Sequence, residues 1–134
     1  MPNVVGPPPP ERWRRWRSRL YEVTDASMQP VLEPGDRILV DPREYRRRPP
    51  AVGEVIALVD PEDSRRRLVK VVARWAAQEG AFVIGVNVQA SRDSRVFGRV
   101  PIDRLIGPVW YRVRPEGRRG PVGPVDTREL GTEE

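Results

Sequence analysis

From about residue 20 to residue 115 the apolar positions come in short runs of Val, Ile, Leu and Ala broken by turn residues. The i, i+3, i+4 spacing of amphipathic helices is scarce there. Runs at 37–41, 54–60, 67–75, 81–86 and 106–113 predict strands, bounded by Pro34-Gly35-Asp36, Pro49-Pro50, Asp60-Pro61 and Glu79-Gly80. One helical turn is expected at 102–105, and no segment repeats another. The pattern predicts an all-β fold, or nearly so, in one domain over residues 21–115.

The flanks differ. Residues 1–20 form a basic extension with a proline run from Pro7 to Pro10, then Trp13, Trp16 and Leu20 among arginines. Those three fall at i, i+3 and i+7, one face of a short basic helix. Such a helix could lie on an anionic membrane surface, cover the core or meet a partner. Residues 116–134 are polar, contain Gly117, Gly120, Pro121, Gly123 and Pro124, and are expected to form a flexible tail.

Composition narrows the chemistry. At 134 residues, with 38% hydrophobic and 32% charged, the chain can bury a modest single core. It has no cysteine, which excludes disulfides, thiolate zinc sites and cysteine-protease chemistry. It has no histidine, which removes the commonest general base and metal ligand together. No metal and no cofactor are expected. No apolar run reaches the roughly 18–20 residues of a membrane-spanning helix, and the N-terminus lacks a secretory pattern. The expectation is a soluble, cytoplasmic protein, with peripheral membrane contact through Trp13 and Trp16 left open. The net charge of +5 divides into +4 over residues 1–20, +3 over 21–115 and −2 over 116–134. No nucleic-acid-binding motif accompanies the arginines. A solvated arginine surface is therefore the plainer reading, and no nucleic-acid partner is expected.

Of the 24 basic residues, Lys70 is the single lysine. Arginine stays protonated in proteins, whereas a desolvated lysine can give up its proton. Lys70 sits in Leu68-Val69-Lys70-Val71-Val72-Ala73, a strand apolar on both faces, and shares its face with Leu68 and Val72. Two readings stand at this point: a buried amine with a lowered pKa, or a packed stem whose head reaches solvent.

Three segments belong together. The first is Val23-Thr24-Asp25-Ala26-Ser27-Met28-Gln29-Pro30 followed by Pro34-Gly35-Asp36. The second is Arg67-Leu68-Val69-Lys70-Val71-Val72. The third is Gly85-Val86-Asn87, then Ser91-Arg92-Asp93-Ser94-Arg95, Gly98 and Pro101. In order and spacing, over about 90 residues, they resemble the type I signal peptidase family and, more distantly, the self-cleaving SOS repressors.

The resemblance implies a coiled antiparallel β-fold and a serine endopeptidase with a Ser/Lys dyad. Ser27 would be the nucleophile and Lys70 the general base. Ser91 matches a serine that orients the lysine; a turn residue is the alternative. Asp93 and Arg95 match a supporting ion pair, or else a solvated loop pair. The Ser27 N–H would contribute to the oxyanion hole, with Asp25 and Met28 in its neighbourhood. Two positions depart from the family. Asp25 stands where relatives carry a hydroxyl donor or a glycine, and a carboxylate cannot donate. Val86 replaces the Asp of the family Gly-Asp-Asn.

The implied substrate is a precursor protein or peptide. The compact chain resembles the nickel superoxide dismutase maturation proteases, which remove an N-terminal propeptide. Two other readings are a self-cleaving repressor fragment and an inactive β-domain binding anionic partners through Trp13 and Trp16. The first needs a DNA-binding domain that 26 residues before Ser27 cannot hold. The second leaves Ser27, Lys70 and Ser91 without a purpose.

Overall fold

A computed structural model describes residues 10–130, with the side chains of 13–130. Pro7 to Pro9 of the proline run and residues 131–134 of the tail lie outside the described residues. The elements are α1 (Pro10–Arg17), β1 (Arg19–Glu22), β2 (Arg37–Val40), β3 (Val55–Val59), β4 (Arg67–Ala76), β5 (Gly80–Ile84), α2 (Ser94–Phe97), β6 (Leu105–Arg114) and β7 (Gly120–Pro121). Each strand expected from the sequence is present, its ends shifted by at most two residues. A short 3-10 turn at Ile102–Arg104 occupies the expected helical turn. The fold is all-β with two small helices.

All pairings are antiparallel, in the order β1-β2-β6-β3-β4-β5, with β7 added to β6. Strand β6 joins two halves of the sheet. Leu105, Gly107 and Pro108 pair with β3, while Val109 to Arg114 pair with β2. Where the halves meet, the backbone leaving β2 crosses closely over Gly107. A side chain there would collide with the Asp41 carbonyl, whose carbon lies 2.7 Å from an added Cβ. Only glycine lets the two halves join.

The central strands bury both faces, which is why their sequences read as continuous apolar runs. On β3, Val55 and Ala57 enter one core while Ile56 and Leu58 enter the other. On β4, Val71 and Ala73 face the first core, and Leu68 and Val72 the second.

Two regions depart from the sequence reading. Helix α1 ends at Arg17, so Leu20 belongs to β1 and not to the helix of Trp13 and Trp16. The Ser18 hydroxyl turns the chain there, donating to the Arg14 carbonyl at 2.5 Å and accepting from Trp110 Nε1 at 2.8 Å. Strand β1 consequently begins at Arg19 and pairs along β2. Residues 116–130 are docked where a flexible tail was expected: Val122, Val125 and Leu130 pack on the first core. The Val125 N–H donates to the Gly53 carbonyl at 2.7 Å. Widely spaced apolar residues in a Gly/Pro segment carry no periodic signal, yet each finds its own niche on the sheet.

The Gly107 crossing is testable. Gly107→Ala is expected to lower unfolding free energy by about 1–3 kcal/mol or more, measured by urea denaturation. Gly123→Ala, where an added Cβ meets nothing within 4 Å, should stay within about 0.5 kcal/mol of the parent.

Candidate active site

Ser27 lies in the loop between β1 and β2, a segment with no regular structure of its own that is pinned at several points. Met28 and Leu32, 1% and 0% exposed, plug into the first core. The Leu32 N–H donates to the Met28 carbonyl at 2.9 Å, closing a turn over Pro30. Asp36, 1% exposed, accepts from the Glu33 N–H at 2.9 Å and pairs with Arg112 and Arg118. From the far side of the loop, Asn87 donates its backbone N–H to the Ser27 carbonyl at 2.9 Å. Its amide Nδ2 donates to the Ala26 carbonyl at 3.1 Å. Ser27 is thus fixed in place and itself only 3% exposed.

Lys70 sits on β4 with 2% exposure. The register Val71↔Ile84, carried one residue further, puts it opposite Gly85 just beyond β5. Gly85 makes the site possible. A Cβ there would run into the Ser91 side chain and come within 2.7 Å of the Ser27 carbonyl oxygen. The amine uses the space so left: Lys70 Nζ donates to Ser91 Oγ at 3.0 Å. Ser91 Oγ donates in turn to Asp93 Oδ2 at 2.6 Å.

Burial pushes the Lys70 amine below the usual lysine range. The Asp25 and Asp93 carboxylates oppose that shift, and the Arg92 and Arg95 cations add to it. Of the two sequence readings, the structure therefore gives the buried amine.

Asp93 is wholly buried and caps α2 by accepting from the Arg95 N–H. It also accepts from Arg95 Nε at 2.8 Å, Arg95 Nη2 at 2.7 Å and the Gly85 N–H at 2.9 Å. Burial alone would raise its pKa. The hydrogen bonds from Arg95, Ser91 and Gly85 overcome this and hold it at about 2. Asp93 and Arg95 are a built ion pair, and the solvated loop pair is set aside.

Ser91 thus bonds Lys70 directly, Asp93 bonds Ser91, and Arg95 bonds Asp93. Other expectations fare differently. No hydrogen bond joins Ser27 to Lys70 among the described residues; Ser27 bonds through its N–H and its carbonyl alone. Catalytic hydrogen bonds in unliganded sites are often long and tighten only with substrate in place. The Ser27 N–H, expected to be free for an oxyanion, donates to Asp25 Oδ1 at 3.0 Å. Met28, placed by the sequence reading in the substrate or oxyanion neighbourhood, is a core residue that anchors the loop. Gly85 and Asn87 are parts of the site that sequence reasoning left without a role. Their signal lay in the segment Gly85-Val86-Asn87, but only the contacts reveal what each holds.

The site is thus an all-β scaffold presenting an anchored serine and a buried lysine, and comparison with known proteins gives its class as a serine-type peptidase. The chain belongs to the signal peptidase family, peptidase S26. Residues 14–79 match that family, a stretch that includes Ser27 and Lys70 and stops before Ser91. The chain is 30% identical over 123 residues to the mitochondrial ATP-independent inner membrane protease subunit 1b of Arabidopsis thaliana, covering 75% of this chain and 73% of that protein. It is 28% identical over 140 residues to a probable signal peptidase I-1 of Synechocystis, covering 72% and 71%. Among the described residues no helix is long and apolar enough to cross a membrane.

The acid stability of the site follows from Asp93. A carboxyl held at about 2 in the fold, against 3.8 ordinarily, stabilises the protein above pH 4. That stability is lost as pH falls through about 2, on the order of 2 kcal/mol. Asp93→Asn should remove this share and flatten the acid limb of stability measured by denaturant titration from pH 5 to pH 2.

Proposed function

We propose that the chain is an endopeptidase in which Ser27 is the nucleophile and Lys70, as a neutral amine, the general base. Its substrate is a precursor protein from which an N-terminal segment is removed. The observation that carries this reading is the setting of Lys70. The sole lysine of the chain is buried, its pKa is lowered by desolvation, and it is hydrogen-bonded to Ser91.

The hydrogen-bond directions support the role. The Ser91 proton is committed to Asp93, so Ser91 can only accept from Lys70. The amine therefore points an N–H at Ser91 and keeps its lone pair for the Ser27 hydroxyl. Ser27 Oγ attacks the scissile carbonyl carbon as its proton passes to Lys70 Nζ. The ammonium then protonates the leaving amine, and the acyl ester on Ser27 forms. Water hydrolyses that ester with Lys70 again taking the proton. Arginine could not serve, since guanidinium keeps its proton at any working pH.

The narrower candidate substrate is the precursor of nickel superoxide dismutase, supported by resemblance to the compact maturation proteases over Glu22 to Asp36 and by the small size of the chain. A peripheral membrane contact is the accompanying reading for α1. Trp13 and Trp16 are 55% and 81% exposed and pack edge to face with ring centres 5.7 Å apart. Arg14 and Arg17 turn inward to the buried Asp41 at 2.8 and 2.6 Å, leaving the indoles outward. Trp13→Ala/Trp16→Ala should reduce flotation with anionic vesicles relative to the parent chain; equal recovery would remove the membrane contact.

The chain supplies its own control for the dyad. Lys70→Arg, which keeps the charge, should lower cleavage of a precursor by about 10²–10⁴-fold. Ser27→Ala should be as inactive, and the double variant no worse, because the pair acts as one unit. Parent activity should rise with pH as the amine loses its proton, with a midpoint below the ordinary lysine value of about 10.4. An active Lys70→Arg protein would end the Ser/Lys mechanism.

A further inference from the structure

The resting partner of the Ser27 N–H is unusual for a nucleophilic serine. The developing oxyanion of acyl transfer is stabilised by N–H donors at the nucleophile, and those donors must be available when charge forms. Here that N–H already holds an anion, the Asp25 carboxylate, at 3.0 Å. The contact is local, between residues two apart, and Asp25 is exposed. Rotating its side chain releases the N–H without disturbing the loop, which Met28, Leu32 and Asn87 hold independently. Asp25 also stands first among the charges that act on Lys70, ahead of Asp93, Arg92 and Arg95. One carboxylate therefore touches both halves of the catalytic pair, the donor at Ser27 and the field at Lys70.

We propose that Asp25 is an internal competitor for the oxyanion site: its carboxylate occupies the Ser27 N–H until substrate displaces it, and so sets the rate of the reaction. The proposal rests on Ser27 being the nucleophile. A carboxylate and an oxyanion cannot share one N–H, and at short range they repel, so the first chemical step has to begin with Asp25 turned away. Hydrogen bonds to charged groups are among the stronger ones, so the competition is substantial. A second consequence is electrostatic. The groups facing the Lys70 amine are Asp25 from the β1–β2 loop, and Arg92, Asp93 and Arg95 from the segment leading into α2. Asp25 favours the ammonium. Removing its charge favours the neutral amine and moves the activity–pH curve toward lower pH.

The probe is a short peptide aldehyde. The Ser27 hydroxyl adds to its carbonyl carbon, forming a hemiacetal whose oxygen sits where the oxyanion does. The corresponding peptide alcohol forms no such adduct. Asp25→Gly should bind the aldehyde about tenfold more tightly than the parent and bind the alcohol equally. Asp25→Ser, which brings a hydroxyl donor, should exceed Asp25→Gly. Asp25→Asn keeps an acceptor but no charge. It should shift the rise of precursor cleavage to lower pH as far as Asp25→Gly does, with a smaller gain in aldehyde affinity. In the parent chain the Ser27 amide proton should follow the ionisation of Asp25 in an acid titration by NMR, a measurement that needs neither activity nor a variant.

Aldehyde affinity unchanged or weakened in Asp25→Gly would overturn the proposal, as would a Ser27 amide that ignores the Asp25 titration. Undiminished aldehyde binding in Ser27→Ala would instead sink the nucleophile assignment, with the amide titration still reporting on the Asp25 contact.

Discussion

A lysine amine held out of water inside an antiparallel sheet is the constraint around which the rest of the site is arranged. Desolvation disfavours the ammonium, and a lone buried charge would cost several kcal/mol. The structure answers with a hydroxyl, not a carboxylate, as the direct partner. Ser91 accepts from Lys70 while its own proton is held by Asp93. A carboxylate in that place would pin the amine in its charged form. With a hydroxyl between them, Asp93 fixes the orientation of Ser91 while Arg95 compensates its charge.

The same division of labour runs through the chain. Asp36, Asp41, Asp60 and Asp93 are all buried, and each is met by an arginine. Asp41 ties α1 to the sheet through Arg14 and Arg17, and Asp36 ties the Ser27 loop to β6 and the segment after it through Arg112 and Arg118. Arginine suits these posts because its fork meets a carboxylate in two places and never loses its proton. Structural charge is thus carried by arginine, while the single lysine is a buried amine with a lowered pKa. That separation gives the single lysine its meaning.

Two positions of the chain, Val86 and Asp25, depart from the pattern of the family it resembles. Val86 in the third segment leaves the clamp intact, because Asn87 reaches Ser27 and Ala26 by itself. Asp25 is different in kind. It exchanges a residue that could donate, or stand aside, for an anion that takes the donor already present. The scaffold accommodates both changes because the Ser27 loop is fixed by its core residues and not by these two positions.

Much of this was legible in the chain. The β-branched runs marked the five principal strands, since a buried strand must be apolar on both faces, and the lone lysine within one of them stood out against an arginine-rich background. The order of Ser27, Lys70 and Ser91 to Arg95 indicated the candidate site. The short strands β1 and β7 were not legible, because four and two residues carry too little alternation to register. Nor was the docking of Val122, Val125 and Leu130, whose niches exist only once the sheet is formed. Sequence determined which groups could do chemistry, because ionisation and nucleophilicity belong to residue types. Tertiary structure alone decided which N–H meets which oxygen. Gly85 against Ser27 and Ser91, and Asp25 upon the Ser27 N–H, are contacts of a few ångströms that depend on the path of the backbone.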